Sequence, residues 1–161
     1  MPRLRRIRAL ALALLACLLA APGDVSAPAP WPADGPARCV RTTRVVDVGL
    51  SRTQHAHVLA HAARAAAKGW PSVYVITRRG ADARRERLLS RIPTRPGFDR
   101  DEVPPAVGRG RGEGLRRGRE PRGWKAHVAY VPSAENRSAG SVMGIKLRRF
   151  CGGTRFRYVG Y

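Results

Sequence analysis

Asp99, Asp101 and Glu102 crowd into four residues of "FDRDEVPPAV" (98–107), in a chain that sets only 11 acids against 31 Lys plus Arg. A helix face would space such charges by three or four residues. Here two prolines follow at once, which places the acids at the end of an extended segment or in a turn. Further on, "PSAENRSAG" (132–140) presents Glu135 and Asn136 where a strand hands over to a helix. An acid at one strand end, a basic loop, a second strand and then Glu-Asn at a helix start is a compact way to build a divalent cation site. Mg²⁺ takes oxygen ligands, commonly one or two carboxylates, and keeps waters for chemistry or phosphate. A helix N-terminus also favours phosphate. Read singly, the acids also suit a solvated turn paired with nearby arginines, and Glu135-Asn136 suits a helix cap.

The charge around these acids points to a polyanion. The 161 residues carry a formal net charge of +20, and each phosphate that a basic side chain neutralises releases condensed counterions. Arginine outnumbers lysine 28 to 3 in an alanine-rich chain, a bias that a GC-rich coding sequence also produces, so charge by itself is a weak pointer. A protein that coats anionic membranes would use the same charge but has no need of the acids.

The N-terminus has the grammar of an export signal. A basic stretch, "MPRLRRIR", precedes the apolar "ALALLACLLAA" and the small residues "VSA" (25–27). The apolar run is short for a bilayer span, so the expectation is a secreted protein with no stable membrane span after processing. Lipoprotein anchoring at Cys17 is the less favoured reading. The expected organisation is a signal peptide at 1–27, a Pro-rich linker at 28–38, and one domain at 39–161, with a monomer favoured. Two cysteines survive processing, Cys39 and Cys151, and an even count in an exported chain suggests a single bridge.

The pattern of the domain is mixed α+β. Strands are predicted at 39–50, 71–77, 125–132 and 153–161. Helices are predicted from Ser51 or Thr53 to Lys68 with Gly69 as the stop, over 81–91, and over 138–150. Residues 107–124, "VGRGRGEGLRRGREPRGW", have almost no apolar side chains and read as a mobile basic loop.

Three stretches together resemble the NucA/NucB family of secreted bacterial deoxyribonucleases: "GWPSVYVITRRGADARRERLLSRIPTRPGFDRDEVPPAV" (69–107), "AHVAYVPSAENRSAGSVMG" (126–144) and "CGGTRFR" (151–157). The resemblance implies a ββα-metal nuclease core related to the His-Asn-His endonucleases, with Asp in place of the usual His base. It implies Asp101 as general base, and Glu135, Asn136 and Asp101 as ligands of Mg²⁺ or Mn²⁺. Glu102 would bind or orient the metal, and Arg100 would hold the phosphate. DNA is the expected substrate, with RNA left open. Arg109, Arg111, Arg116, Arg117, Arg137, Lys146 and Arg148 are the candidate backbone grips, and Trp124 a base-stacking platform.

The chain departs from the family pattern at three places. Val103 replaces an aromatic residue. An Arg-rich insertion holding Glu113 replaces an acidic Gly-rich stretch. Ile145 and Lys146 replace amides on the helix. These departures motivate an alternative: a weakened or inactive relative that serves as an extracellular DNA-binding module. His57 and His61 lie four apart on a predicted helix, a spacing that can bind a metal. With no third ligand evident they read as a surface or half-buried pair, with His55 on another face and His127 far along the chain.

Overall fold

The computed structural model describes residues 38–109 and 125–161; the expected signal peptide, nearly all of the expected linker, Arg111, Glu113, Arg116, Arg117 and Trp124 lie outside them. Among the described residues the elements run β1 (Val46–Leu50), α1 (Ala56–Ala67), β2 (Tyr74–Val75), α2 (Ala81–Leu89), β3 (Phe98–Val103), β4 (His127–Pro132), α3 (Ser133–Leu147) and β5 (Arg155–Gly160). The α+β expectation holds.

The strands form two small sheets. β5 is the centre of one, parallel to β1 and antiparallel to β2, in the order β1-β5-β2. β3 and β4 pair antiparallel as the other, and α3 follows β4 directly. The two long helices bridge the sheets: α1 packs on β5 as well as on β3 and β4, and α3 packs on β1 as well as on that hairpin.

Burial follows each element's own period. β1 turns Val46, Val48 and Leu50 inward and leaves Asp47 out. The alanine-rich α1 buries Val58, His61 and Ala65 along one side. It stops where Gly69 takes φ 80°, a left-handed conformation that glycine adopts without a Cβ clash, as its place in the sequence predicts. Phe156 of β5 is fully buried and meets the Tyr74 ring edge-on at 5.3 Å, inside a core completed by Ile76, Val131, Leu147 and Phe150.

The element boundaries differ from expectation in two informative places. β2 pairs over only two residues, because the next ladder bond, from the Ile76 N–H to the Thr154 carbonyl, lies beyond the regular strand. α3 begins at Ser133, five residues earlier than its apolar spacing indicated, so Glu135 and Asn136 sit inside its first turn.

Cys39 and Cys151 form the expected disulfide across 112 residues of sequence. Beside it the Val40 N–H donates to the Arg149 carbonyl at 2.7 Å and the Cys151 N–H to the Val40 carbonyl at 3.0 Å. The N-terminal segment is thereby fastened to the end of α3. In the chain-entropy picture a loop this long is worth about 4–5 kcal/mol. Reduction, or Cys39→Ser with Cys151→Ser, should lower the thermal midpoint by roughly 10 °C or more, read by circular dichroism with and without reductant.

Candidate active-site cleft

A strand turns successive side chains to opposite faces, and this splits the acidic cluster. Asp99 and Asp101 share the face of β3 that looks toward α1 and α3. Glu102 and Arg100 share the other face, toward α2 and its following loop. Among the described residues β3 pairs with β4 alone and has no strand partner on its far side. A cleft of about 480 Å³ runs there, lined by Asp99, Arg100, Asp101 and Glu102, by Asn136 and Arg137 of α3, and by Arg85 of α2.

Asp99 is held from α3. Ser133 Oγ donates to its Oδ1 at 2.8 Å and Arg137 Nε to its Oδ2 at 3.2 Å. Burial acts to raise the Asp99 carboxyl, but the hydrogen bonds from Arg137 and Ser133 outweigh it and hold the group below the usual carboxylate range. Asp101 is held from α1: its Oδ2 lies 2.6 Å from Nδ1 of His61. His61 Nε2 is in turn 2.8 Å from His127 Nδ1.

Glu135 turns away from the cleft and toward the start of α1, whose own N-cap residue, His55, makes no side-chain cap bond. The Val58 N–H donates to Glu135 Oε1 at 2.9 Å, and His57 Nδ1 donates to Oε2 at 2.8 Å. A carboxylate is well placed there, because the free N–H groups and the helix dipole both favour negative charge. Burial pushes Glu135 up, yet the Val58 N–H and His57 bonds win and lower its carboxyl.

Glu102 and Arg109 form a buried ion pair, with Arg85 3.5 Å from the other Glu102 oxygen. Burial pushes the Glu102 carboxyl up against the pull of Arg109 and Arg85, and takes the Arg109 guanidinium down to about 10 against the pull of Glu102. Each of the two charges would be far costlier buried alone than beside the other.

The structure therefore sorts the residues singled out in the sequence. Asp99, Arg100, Asp101, Glu102, Asn136 and Arg137 meet in one cleft. Arg109 is not a surface grip: it is fully buried against Glu102, at the root of the basic segment. Arg100 spends its Nη1 on the carbonyls of Leu89 and Ile92 at 2.9 and 2.6 Å, tying down the loop after α2. Lys146 and Arg148 are exposed near the end of α3 and do not line the cleft. Ile145 is exposed and also outside it, so its departure from the family pattern takes no amide from the cleft wall; Val103 lies in the core. His61 is no surface or half-buried histidine but is wholly buried, because α1 lays it across the hairpin beside Asp101. The histidine partners of both acids escaped the sequence reading. Their only signal was the i, i+4 spacing of His57 and His61, which reads as a metal pair or a surface pair before the hairpin is in place.

The donor set in the cleft is hard oxygen: the Asp99 and Asp101 carboxylates and the Asn136 amide. No group of three or more His, Cys, Asp or Glu among the described residues gathers at metal-binding spacing. Sparse oxygen ligation of this kind fits Mg²⁺ or Mn²⁺, which bind through one or two carboxylates and fill the remaining positions with water.

Two outcomes follow from the electrostatics. Arg109→Leu strands the buried Glu102 charge and should cost about 3–5 kcal/mol, while adding Glu102→Leu should recover much of it, measured by denaturant unfolding. Asp99 and Glu135 have folded-state carboxyls below their unfolded values, so their contribution is present above the ordinary carboxylate range and is lost as pH falls through the folded values. Stability in chelator should therefore decline between about pH 5 and pH 2, with a shallower decline in Asp99→Asn, followed by thermal midpoint against pH.

No family model matches the chain. Over 88 residues it is 39% identical to the DNA-entry nuclease of Bacillus subtilis (strain 168), a stretch that covers 55% of this chain and 52% of that protein. The chain thus spans about half the length of the curated relative it matches. Among the described residues no helix is long and apolar enough to cross a membrane. Over the matched residues the likeness to the NucA/NucB nucleases, first read from the motifs, is borne out: this chain is similar to a bacterial DNA-entry nuclease.

Proposed function

We propose that the protein is a secreted, metal-dependent endonuclease that hydrolyses phosphodiester bonds of DNA without regard to sequence. The observation that carries this reading is the cleft along β3, lined by Asp101, Asn136, Arg85 and Arg137, in a chain similar to a DNA-entry nuclease.

Asp101 is the general base. Its carboxylate lines the cleft and takes the proton of the water that attacks phosphorus, a role worth about 10²–10⁴ in rate. Asn136 would hold a divalent cation through its amide oxygen, and Glu135 would join it by giving up its bonds to α1; Asp101, whose free oxygen takes the proton, would not ligate the cation with that same oxygen. When bound, the cation supplies Lewis acidity toward the phosphoryl oxygens. Arg137 and Arg85 are the guanidinium groups that line the cleft with exposed side chains, and they orient the phosphate and offset its growing charge. Phosphate contacts carry no sequence information, which accounts for the lack of specificity.

The inactive DNA-binding alternative rested on three departures. Ile145 and Lys146 stand outside the cleft and Val103 lies in the core, while most of the Arg-rich insertion lies outside the described residues.

Plasmid cleavage by the processed chain, residues 28–161, in Mg²⁺ or Mn²⁺ tests the reading. Cleavage should stop with EDTA and should fall by at least about 10²-fold in Asp101→Asn. Glu135→Ala also removes the α1 cap and should cost about 1 kcal/mol of stability, so Glu135→Gln is the cleaner probe of its part in chemistry. A wild-type chain that binds DNA in either metal but never cuts it would refute the nuclease reading.

A further inference from the structure

Asp101 is the near end of a four-member hydrogen-bond chain that none of its motifs contains. Behind it stand His61 of α1, His127 at the start of β4, and Lys68 just past the end of α1. Successive separations are 2.6 Å from Asp101 Oδ2 to His61 Nδ1, 2.8 Å from His61 Nε2 to His127 Nδ1, and 3.2 Å from His127 Nε2 to Lys68 Nζ. His61 is 0% exposed, so neither of its ring nitrogens can turn to water instead.

The ends of this chain fix its direction. A lysine ammonium has only donors, and a carboxylate has only acceptors. Lys68 therefore donates to His127 Nε2, which must accept. The His127 hydrogen then sits on Nδ1 and is donated to His61 Nε2, which must accept in turn. The His61 hydrogen is left on Nδ1 and points at Asp101 Oδ2. Three contacts take three hydrogens in one arrangement; a further hydrogen on either ring would set two donors face to face. Burial, together with the positive charges of Lys68 and Arg64, lowers the His127 pKa, in the direction this arrangement needs.

We infer that His61, His127 and Lys68 are positioning residues for Asp101: they lock one carboxylate oxygen, Oδ2, onto a single tautomer of His61 and leave Oδ1 as the oxygen that works in the cleft. No hydrogen bond found among the described residues uses Oδ1. Asp101 is one carbon shorter than Glu, and once its Cα–Cβ rotamer is set its carboxylate plane turns only about Cβ–Cγ, which a directed hydrogen bond can fix. The inference rests on Asp101 being the base of the proposed nuclease. It adds that the base is oriented by a buried histidine pair whose hydrogens are set from the surface by a lysine.

Two measurements test it. In protein labelled with ¹⁵N-histidine, both His61 and His127 should show the hydrogen on Nδ1 with Nε2 as acceptor. Lys68→Met should release that preference at His127. In cleavage kinetics, His61→Leu should lower kcat by about 10- to 100-fold with KM little changed. His61→Asn keeps an N–H at the Nδ1 position and should recover most of the loss. A hydrogen on Nε2 of His61, or a His61→Leu enzyme with wild-type kcat, overturns the positioning role while leaving the nuclease reading intact. Absence of cleavage by the wild-type chain refutes the nuclease reading itself, and with it any base to position. Should His61→Leu fail to fold, the tautomers of the native chain and the His61→Asn kinetics decide.

Discussion

A β-strand must turn its side chains alternately to its two faces, and β3 carries acids at 99, 101 and 102. That one geometric constraint separates a run of like charges into groups with different neighbours. Asp99 and Asp101 look toward α1 and α3, which supply Ser133, Arg137 and His61. Glu102 looks the other way and meets Arg109 and Arg85. Three carboxylates that would repel one another on a single face are each given cationic or hydrogen-bonding partners of their own. The cleft along the unpaired side of β3 exists because α3 and the α2 region both pack against this strand and leave its edge open between them.

The acids differ in what burial does to them. For Asp99 and Glu135 burial acts against the charge, but hydrogen bonds overcome it and hold the carboxyls low. For Glu102 burial prevails and the carboxyl is pushed up despite two nearby guanidinium groups. Glu135 is the hinge between fold and site. It caps α1 from α3, and α1 in turn carries the His61 that holds Asp101. Organisation of the cleft is thus shared between two helices that are distant in sequence, and the same α3 is fastened at its far end by the Cys39–Cys151 bridge and by Arg78, which donates to the carbonyls of Leu147 and Phe150.

Much of this was legible because it is local. β-rich runs marked β1 and β5, Gly69 ended α1 where a left-handed residue was needed, and the acids announced themselves by density. The start of α3 was legible only in part: Glu135-Asn136 read as a strand-to-helix handover, but "SAENRS" has no apolar spacing to carry the helix back to Ser133, which follows Pro132 and pairs its hydroxyl with Asp99, a partner 34 residues earlier. Arg109 read as a surface grip because it opens an arginine-rich segment. Only the fold brings Glu102 to it and makes its burial tolerable.

What the sequence by itself determined is the inventory: an α+β pattern, a strongly basic chain, two clusters of oxygen-bearing side chains in a fixed order, and a pair of cysteines. Residue type and short-range period are enough for those, because strand pleat and helix turn repeat within a few residues. What only the tertiary structure decided is which carboxylate faces which partner. The contacts that orient the acids span 40 residues from His61 to Asp101, 66 from His61 to His127 and 77 from Val58 to Glu135. No local period encodes such distances; they are set by the packing of α1 across a hairpin that forms later in the chain.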